Sequence, residues 1–389
     1  MADEKKRILR ITTVPVSLKY LLRGQFAHMS AQGFEVDIAS APGREGIEVA
    51  EAEGVDFYEI AMTRTISPWA DLRSVWKTYR LIKKRKYHIV HSHTPKAGIV
   101  GMTAAWLART PIRMHTVAGL PLMESQGFKR KLLVAVERMT YGMATRVYPN
   151  SKGLKTYIEA HILRQSKKLN IIADGSSNGI NLDYFAPHAE LVEKAKHIRE
   201  ELDIPQSDRV GVFVGRIVAD KGIHELIEAF THIEQEHPDF HLLLVGPYEQ
   251  ELDPVKPEAF RQINEHPRIH AVGFQTNIRP YFLAGDFLIF PSYREGFPNA
   301  VIQAAALGLP VIASDINGCN EIIEHGKNGL LVPPKTTEPV TEALLKILGD
   351  KMFFEHTKAA ARPTIGEKFD QKVVWKALEA EYRKLLADV

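Results

Sequence analysis

The 389-residue sequence contains a single cysteine, Cys319, which excludes an internal disulfide framework or a thiolate metal cluster and fits a reducing compartment. Long apolar runs are also missing. The most apolar stretch, residues 98–108, is far short of the ~20 residues needed to cross a bilayer. The polar start, Met1 to Arg7, lacks the apolar core of a signal peptide, so a cytoplasmic protein is expected. No Gly-x4-Gly-Lys-Ser/Thr run occurs, which removes the phosphate loop of NTPases. No repeat or low-complexity tract is present either.

What is present is the balance of an ordinary soluble protein, with 45% apolar and 25% charged residues, enough apolar surface for two full cores. The length points to two domains of nearly equal weight. A net charge of +3 conceals an asymmetry: residues 1–190 carry 28 Lys and Arg against 17 Asp and Glu, and the remainder 22 against 30. A basic first half suits an anionic partner such as a membrane surface, a phosphorylated acceptor or nucleic acid, and equally a solvated basic face. The basic residues Arg73, Lys77, Arg80, Lys83, Lys84, Arg85 and Lys86 share a segment with Leu72, Val75, Trp76, Tyr79 and Ile82. The apolar positions read most simply as the packing face of a sheet-covering helix, while the basic ones, with Lys129, Arg130 and Lys131, suit anionic headgroups.

Short runs rich in Val and Ile alternate with segments of helical period, the signature of βαβ units and a parallel sheet. Strands are expected at 8–13, 34–39, 89–93, 112–117 and 146–149, then at 210–215, 241–246, 269–273, 287–291 and 310–314. The polar stretch Pro187 to Asp208 places a domain joint near residue 190, with domains 1–190 and 191–370. After Pro363 and Gly366, residues 371–389 read as an amphipathic helix able to pack back on the first domain. Two doubly wound α/β domains on one connection imply a deep cleft between the carboxyl ends of their sheets, with function in the loops that follow the strands.

Two such loops carry chemistry. Gly215-Arg216-Ile217-Val218-Ala219-Asp220-Lys221-Gly222 opens a helix, and two fixed cations with backbone donors at a helix start suit a diphosphate. Arg294-Glu295-Gly296-Phe297-Pro298-Asn299-Ala300 follows another strand and leads into a helix that contains Gln303. Gly296 allows a tight turn and Pro298 suits a first helical turn. A carboxylate at Glu295 repels phosphate and is better matched to sugar hydroxyls, within reach of Gln303.

With Leu307-Gly308-Leu309-Pro310-Val311-Ile312, these loops resemble the carboxyl-terminal half of family 4 glycosyltransferases, retaining enzymes of the GT-B fold. The similarity extends over nearly the whole chain, through Ile89-Val90-His91-Ser92-His93-Thr94-Pro95-Lys96-Ala97-Gly98, Asn150-Ser151, Ser177-Asn178-Gly179-Ile180 and Asn328-Gly329-Leu330-Leu331-Val332. The first of these runs, with Arg64 to Leu72, resembles the branch that builds bacterial capsule, exopolysaccharide and lipid-linked oligosaccharides. The resemblance implies that Arg216 and Lys221 hold the diphosphate of a nucleotide sugar and stabilise its departure. Glu295 would bind the transferred sugar, Gly296, Phe297, Pro298 and Asn299 would line the donor site, and Gln303 would stand where a ribose-binding Glu is usual. His93 would approach acceptor and donor sugar from the end of its strand, and His91 reads as structural. Arg216, Lys221, Glu295 and His93 form the expected catalytic set.

No metal and no cofactor beyond the nucleotide sugar is implied, in keeping with the absence of any Asp-x-Asp pair. The sequence departs from the family at Ala118, where relatives often carry a histidine, and in the first loop, residues 12–19, which lacks paired glycines. Gln303 keeps an acceptor but gives up a charge-assisted bond. The expected activity is transfer of a hexosyl or N-acetylhexosaminyl group from a UDP-sugar to a glycan on a lipid diphosphate, in cell-surface polysaccharide synthesis at the inner membrane face. The competing activities are a UDP-sugar epimerase of the same architecture and a catalytically silent sugar-nucleotide binding protein. No recognition motif accompanies the basic residues, so nucleic acid is not an expected partner.

Overall fold

The computed structural model describes residues 5–63, 67–123, 125–164, 166–249, 251 and 253–389; Arg64, Thr65 and Ile66 of the run Arg64 to Leu72 lie outside them, as do Met1 to Glu4. The chain divides into two units, Met1–Gly179 with Gln371–Val389, and Ile180–Asp370. Among the described residues each unit holds one six-stranded sheet.

In the first unit, β1 (Arg7–Ile11), β2 (Glu35–Ser40), β3 (Asp56–Glu59), β4 (Ile89–His93), β5 (Ile112–Val117) and β6 (Arg146–Pro149) lie in the order β3-β2-β1-β4-β5-β6, all parallel. In the second, β7 (Arg209–Val214), β8 (Phe240–Val245), β9 (Ile269–Ala271), β10 (Phe287–Phe290), β11 (Val311–Ser314) and β12 (Gly329–Val332) take the order β12-β11-β10-β7-β8-β9, again parallel. The chain reverses its direction of travel between β1 and β4 in one sheet and between β7 and β10 in the other. At these switch points the loops leaving adjacent strands part to opposite faces and leave a crevice. Strands β3 and β12 were not expected as strands.

Period-two alternation sorts the first sheet into two faces. Leu9, Ile11, Val90 and Val117 join a core with Val100 and Tyr141, whereas Ile8, Ile89, Ile112 and Met114 pack with Phe26, Leu378 and Tyr382. The second face is thus closed by the helices Gln25–Ala31 and Gln371–Ala387. Polar contacts hold the last helix there: Trp375 Nε1 donates to Asn178 Oδ1 (2.6 Å) and Tyr148 Oη to Glu381 Oε1 (2.7 Å).

Three sequence expectations need correction. The stretch near residue 190 is no linker, because Ala189–Glu201 is a helix whose Ala195 and Ile198 enter the second core. The units divide instead at Gly179–Ile180, because Ile180 pairs with Asp370 and Arg362 ties the following turn by donating to the carbonyls of Leu182 (2.8 Å) and Phe185 (2.6 Å). Pro363 and Gly366 lie inside the helix Lys351–Phe369, whose buried Phe354, Thr357, Ala361, Ile365 and Phe369 recur at helical spacing.

The third correction concerns the helix Pro68–Arg85. It buries Ser74, Thr78 and Ile82, not the whole expected apolar face. The two hydroxyls bond back to the carbonyls of Ala70 and Ser74 (both 2.8 Å), so these small residues pack without unmet polar atoms. Trp69, Leu72 and Trp76 consequently point outward, 81%, 61% and 59% exposed. Arg85 leaves the basic surface and bonds Asp37 and Glu35 (both 3.0 Å).

Candidate functional site

In the second unit, the loops after β7 and β10 are stitched together beside the switch point. Gly222 ends the first loop with φ +71°, and a Cβ there would fall 2.1 Å from the Pro291 carbonyl oxygen. Only glycine permits that approach, which brings the start of the helix Ile223–Ile233 against the end of β10. Tyr293 N donates to the Asp220 carbonyl (2.9 Å), and Arg294 reaches the Asp220 carboxylate (2.9 Å). Across this seam Lys221 Nζ meets Glu295 Oε1 at 2.5 Å, with both side chains largely buried. Ser292 Oγ donates to the same carboxylate oxygen (3.0 Å).

Arg216 pairs with Glu249 at 2.6 Å, and the carboxylate raises its pKa above the ordinary value. Both expected phosphate cations are therefore ordered by carboxylates, Lys221 by one on the loop after β10 and Arg216 by one on the loop after β8. The main chain of the Glu295 turn is fixed from below: Asn317 Nδ2 donates to the carbonyls of Glu295 and Gly296, each at 2.9 Å. Glu249 and Asn317 belong to no recognised motif. The one sequence signal for Asn317 is its place in an Asn-Gly pair shortly after β11.

Pro298 caps the helix Asn299–Ala306 rather than forming its first turn. That helix buries Val301, Ile302, Ala304, Ala305 and Ala306, leaving Asn299 exposed and Gln303 half-buried one turn later on the same face. Phe297 packs edge-on against Phe369, with centroids 5.1 Å apart. The structure thus gathers Lys221, Glu295 and Gly296 in one bonded cluster and holds Arg216 at the start of the same loop.

In the first unit, His93 ends β4 at the switch point but is only 3% exposed. Arg10 of β1 donates to its Nε2 from Nε (3.2 Å) and Nη2 (2.8 Å). The other ring nitrogen, Nδ1, has no partner among the described residues. Burial, then the Arg10 charge, drives the His93 pKa well below its ordinary value, so the ring is neutral. His91 is matched at both nitrogens, by Tyr382 Oη (2.6 Å) and Thr116 Oγ1 (2.7 Å). His115 lies on the opposite face, bonded to Ser92 Oγ (2.9 Å), with burial lowering its pKa to about 4. Among the described residues no group of three or more His, Cys, Asp or Glu side chains is placed to hold a metal ion, and no helix is long and apolar enough to cross a membrane.

Residues 20–173 match the family model "Glycosyl transferase 4-like domain" and residues 208–350 the model "Glycosyl transferases group 1". The capsular polysaccharide biosynthesis glycosyltransferase CapM of Staphylococcus aureus is 30% identical over 385 residues, covering 99% of both chains. A UDP-Gal:alpha-D-GlcNAc-diphosphoundecaprenol alpha-1,3-galactosyltransferase of Escherichia coli is 29% identical over 76% of this chain and 75% of its own. Among solved structures, Anabaena HepE in complex with UDP superposes with a TM-score of 0.80 at 20% identity, covering 98% of this chain and all of its own.

Proposed function

The chain belongs to the family 4 glycosyltransferases of the GT-B fold, and we propose that it moves a hexosyl or N-acetylhexosaminyl group from a UDP-sugar to a glycan carried on a lipid diphosphate. In this reaction the bond between the anomeric carbon and the diphosphate oxygen breaks, its electron pair leaves with UDP, and the acceptor hydroxyl oxygen bonds to the same carbon with retained configuration as its proton passes to the departing diphosphate. The observation that carries the proposal is the seam between Lys221 and Glu295, with Arg216 on the same loop. Lys221 and Arg216 take the charge of the departing diphosphate, a role fixed cations perform without reorganisation, and no metal is required. Glu295, anchored through Ser292 and Asn317, meets the hydroxyls of the transferred sugar. Gly296, Phe297, Pro298, Asn299 and Gln303 complete the donor site, and His93 serves the acceptor. The names of the E. coli relative, which specifies UDP-Gal and a diphosphoundecaprenol acceptor, and of the S. aureus capsule enzyme favour this chemistry.

A lipid acceptor calls for work at a membrane, and we place the enzyme at the inner face of the cytoplasmic membrane. The outward stripe Trp69, Leu72 and Trp76 runs beside Arg73, Lys77, Arg80 and Lys84, all exposed. Aromatic and basic residues sharing an exposed helix face suit an anionic lipid surface. The test is UDP release from a panel of UDP-sugars, with and without lipid-linked glycan and with and without EDTA. Release that depends on acceptor and survives EDTA is expected. Sugar isomerisation without UDP release would instead indicate an epimerase, binding without either product a silent protein, and magnesium-reversible loss in EDTA a metal-dependent transferase.

A further inference from the structure

We infer that Arg10 is a positioning residue that locks His93 in a single tautomer, with the ring proton on Nδ1, so that His93 serves the transfer reaction as a hydrogen-bond donor from that nitrogen alone. This builds on the placement of His93 in the acceptor site proposed above.

The lock follows from which atoms can donate. β1 and β4 are neighbours with Arg10 opposite His91 in register, so the Arg10 and His93 side chains share a face of the sheet. Both guanidinium contacts converge on Nε2. A guanidinium has five N–H donors and no acceptor, so Nε2 must present its lone pair and the neutral ring must carry its proton on Nδ1. A doubly protonated ring would set donor against donor, and burial beside Arg10 already disfavours it.

The free end of the ring has somewhere to act. His93 lines a cavity of about 20 Å³ together with Gln25, Thr116, Asn150, Ser176 and Ser177, room for one water or one hydroxyl group. Asn150 Oδ1 and Ser177 Oγ, like His93 Nδ1, have no partner among the described residues. Three unmatched polar atoms on residues lining one small cavity set His93 apart from His91, whose nitrogens are both matched on the same face.

Arg10 itself is costly. It is 1% exposed, and among the described residues no carboxylate pairs with it. Its other contacts are the Gln25 side-chain carbonyl and the Phe26 ring, 5.6 Å from the guanidinium carbon. A buried charge that interacts with the Glu53 carboxylate only at a distance, without an ion pair, opposes folding, so a position that served packing alone would favour an apolar side chain such as that of Ile8, two residues earlier on the same face. Its contact with His93 gives the guanidinium a use that packing does not.

The experiment is nitrogen-15 NMR of histidine-labelled full-length protein, with His93 assigned by difference from a His93→Gln variant, alongside steady-state kinetics. In the wild type, Nδ1 is expected at the protonated and Nε2 at the unprotonated shift. Arg10→Met should release the lock, giving averaged shifts, and lower kcat about tenfold, the scale of one hydrogen bond, with KM for the UDP-sugar little changed. Arg10→Lys keeps a donor and should restore both tautomer and most of kcat. A wild-type His93 protonated on Nε2 overturns the inference even if no Arg10 variant folds, and so does an averaged tautomer in Arg10→Met with unchanged kcat. If instead His93→Gln turns over like wild type while the tautomer is locked as described, the placement of His93 in the acceptor site has failed.

Discussion

Replacing Glu295 by glutamine separates two effects that the wild-type pair holds together. Lys221 Nζ and Glu295 Oε1 lie 2.5 Å apart with side chains 14% and 16% exposed, so the diphosphate of an incoming donor must compete with this carboxylate for the ammonium. At an effective dielectric near 20, two unit charges ~4 Å apart interact by about 4 kcal/mol. Desolvation cancels part of this, and a charge-assisted hydrogen bond retains about 1.5–3 kcal/mol. The amide keeps an oxygen for the Ser292 hydroxyl, which donates at 3.0 Å, but removes the charge. If UDP recovers about 1–2 kcal/mol, its affinity rises about five- to thirtyfold. Turnover should fall in the same variant, by roughly tenfold to a hundredfold, because the contact to the transferred sugar loses charge assistance in the transition state. Calorimetry with UDP and an acceptor-dependent UDP-release assay measure the two halves. Unchanged or weaker UDP binding by Glu295→Gln would place the diphosphate away from Lys221 and refute the reasoning. Glu249→Gln is the internal control: its pair with Arg216 is 34–40% exposed, so freeing that cation should change UDP affinity by no more than about fivefold and lose its effect in salt.

Three further outcomes are expected. Gln303→Glu should keep or modestly strengthen donor binding, whereas Gln303→Ala should lose one neutral hydrogen bond, at most about tenfold in affinity; an inert Gln303→Ala beside a fully active Glu295→Gln would mean that the two roles are exchanged. Burial pushes the Glu137 carboxyl up to about 7 from 4.5, so the folded protein keeps a proton that the unfolded chain releases: stability is full below about pH 4.5 and falls as pH rises to about 7, by about 3 kcal/mol. Urea midpoints of Glu137→Gln should lose that slope, and an identical slope would assign it to another group. Trp69→Ser with Trp76→Ser should abolish flotation with anionic vesicles while leaving the folded enzyme monodisperse; undiminished flotation, or loss of a dimer in place of flotation, would assign the stripe to something other than lipid.

The expected strands that held are those with a signal in their own residues. β10 is buried throughout, and continuous burial there writes itself as the run Phe-Leu-Ile-Phe. Strand β3 reads Asp-Phe-Tyr-Glu with exposed ends, and as an edge strand it has one neighbour and little need for apolar side chains. The helix Pro68–Arg85 shows a different limit. Its period correctly marks an apolar stripe, but which stripe meets the protein depends on how close the backbone can come to the neighbouring helix Pro95–Leu107. The small Ser74 and Thr78 occupy the buried stripe, and the tryptophans turn out.

The candidate site divides along the same line. Arg216, Lys221 and Glu295 stood out in the sequence because each lies in a loop directly after a strand and near a glycine; of these glycines, Gly222 takes a positive φ in the structure. Glu249 and Asn317, which hold Arg216 and the Glu295 turn, come from the loops after β8 and β11; that these strands flank β7 and β10 is a fact of sheet order, which no local pattern encodes. The histidines of β4 show the limit most sharply. His91 and His93 share a face, a strand and a burial class, yet only His91 has both nitrogens matched. That difference depends on Arg10, more than eighty positions earlier in the chain, and on a C-terminal helix whose Tyr382 reaches His91 but not His93. Period-two alternation can say that two side chains point the same way, but only the partners they meet decide which of them is free to touch a ligand.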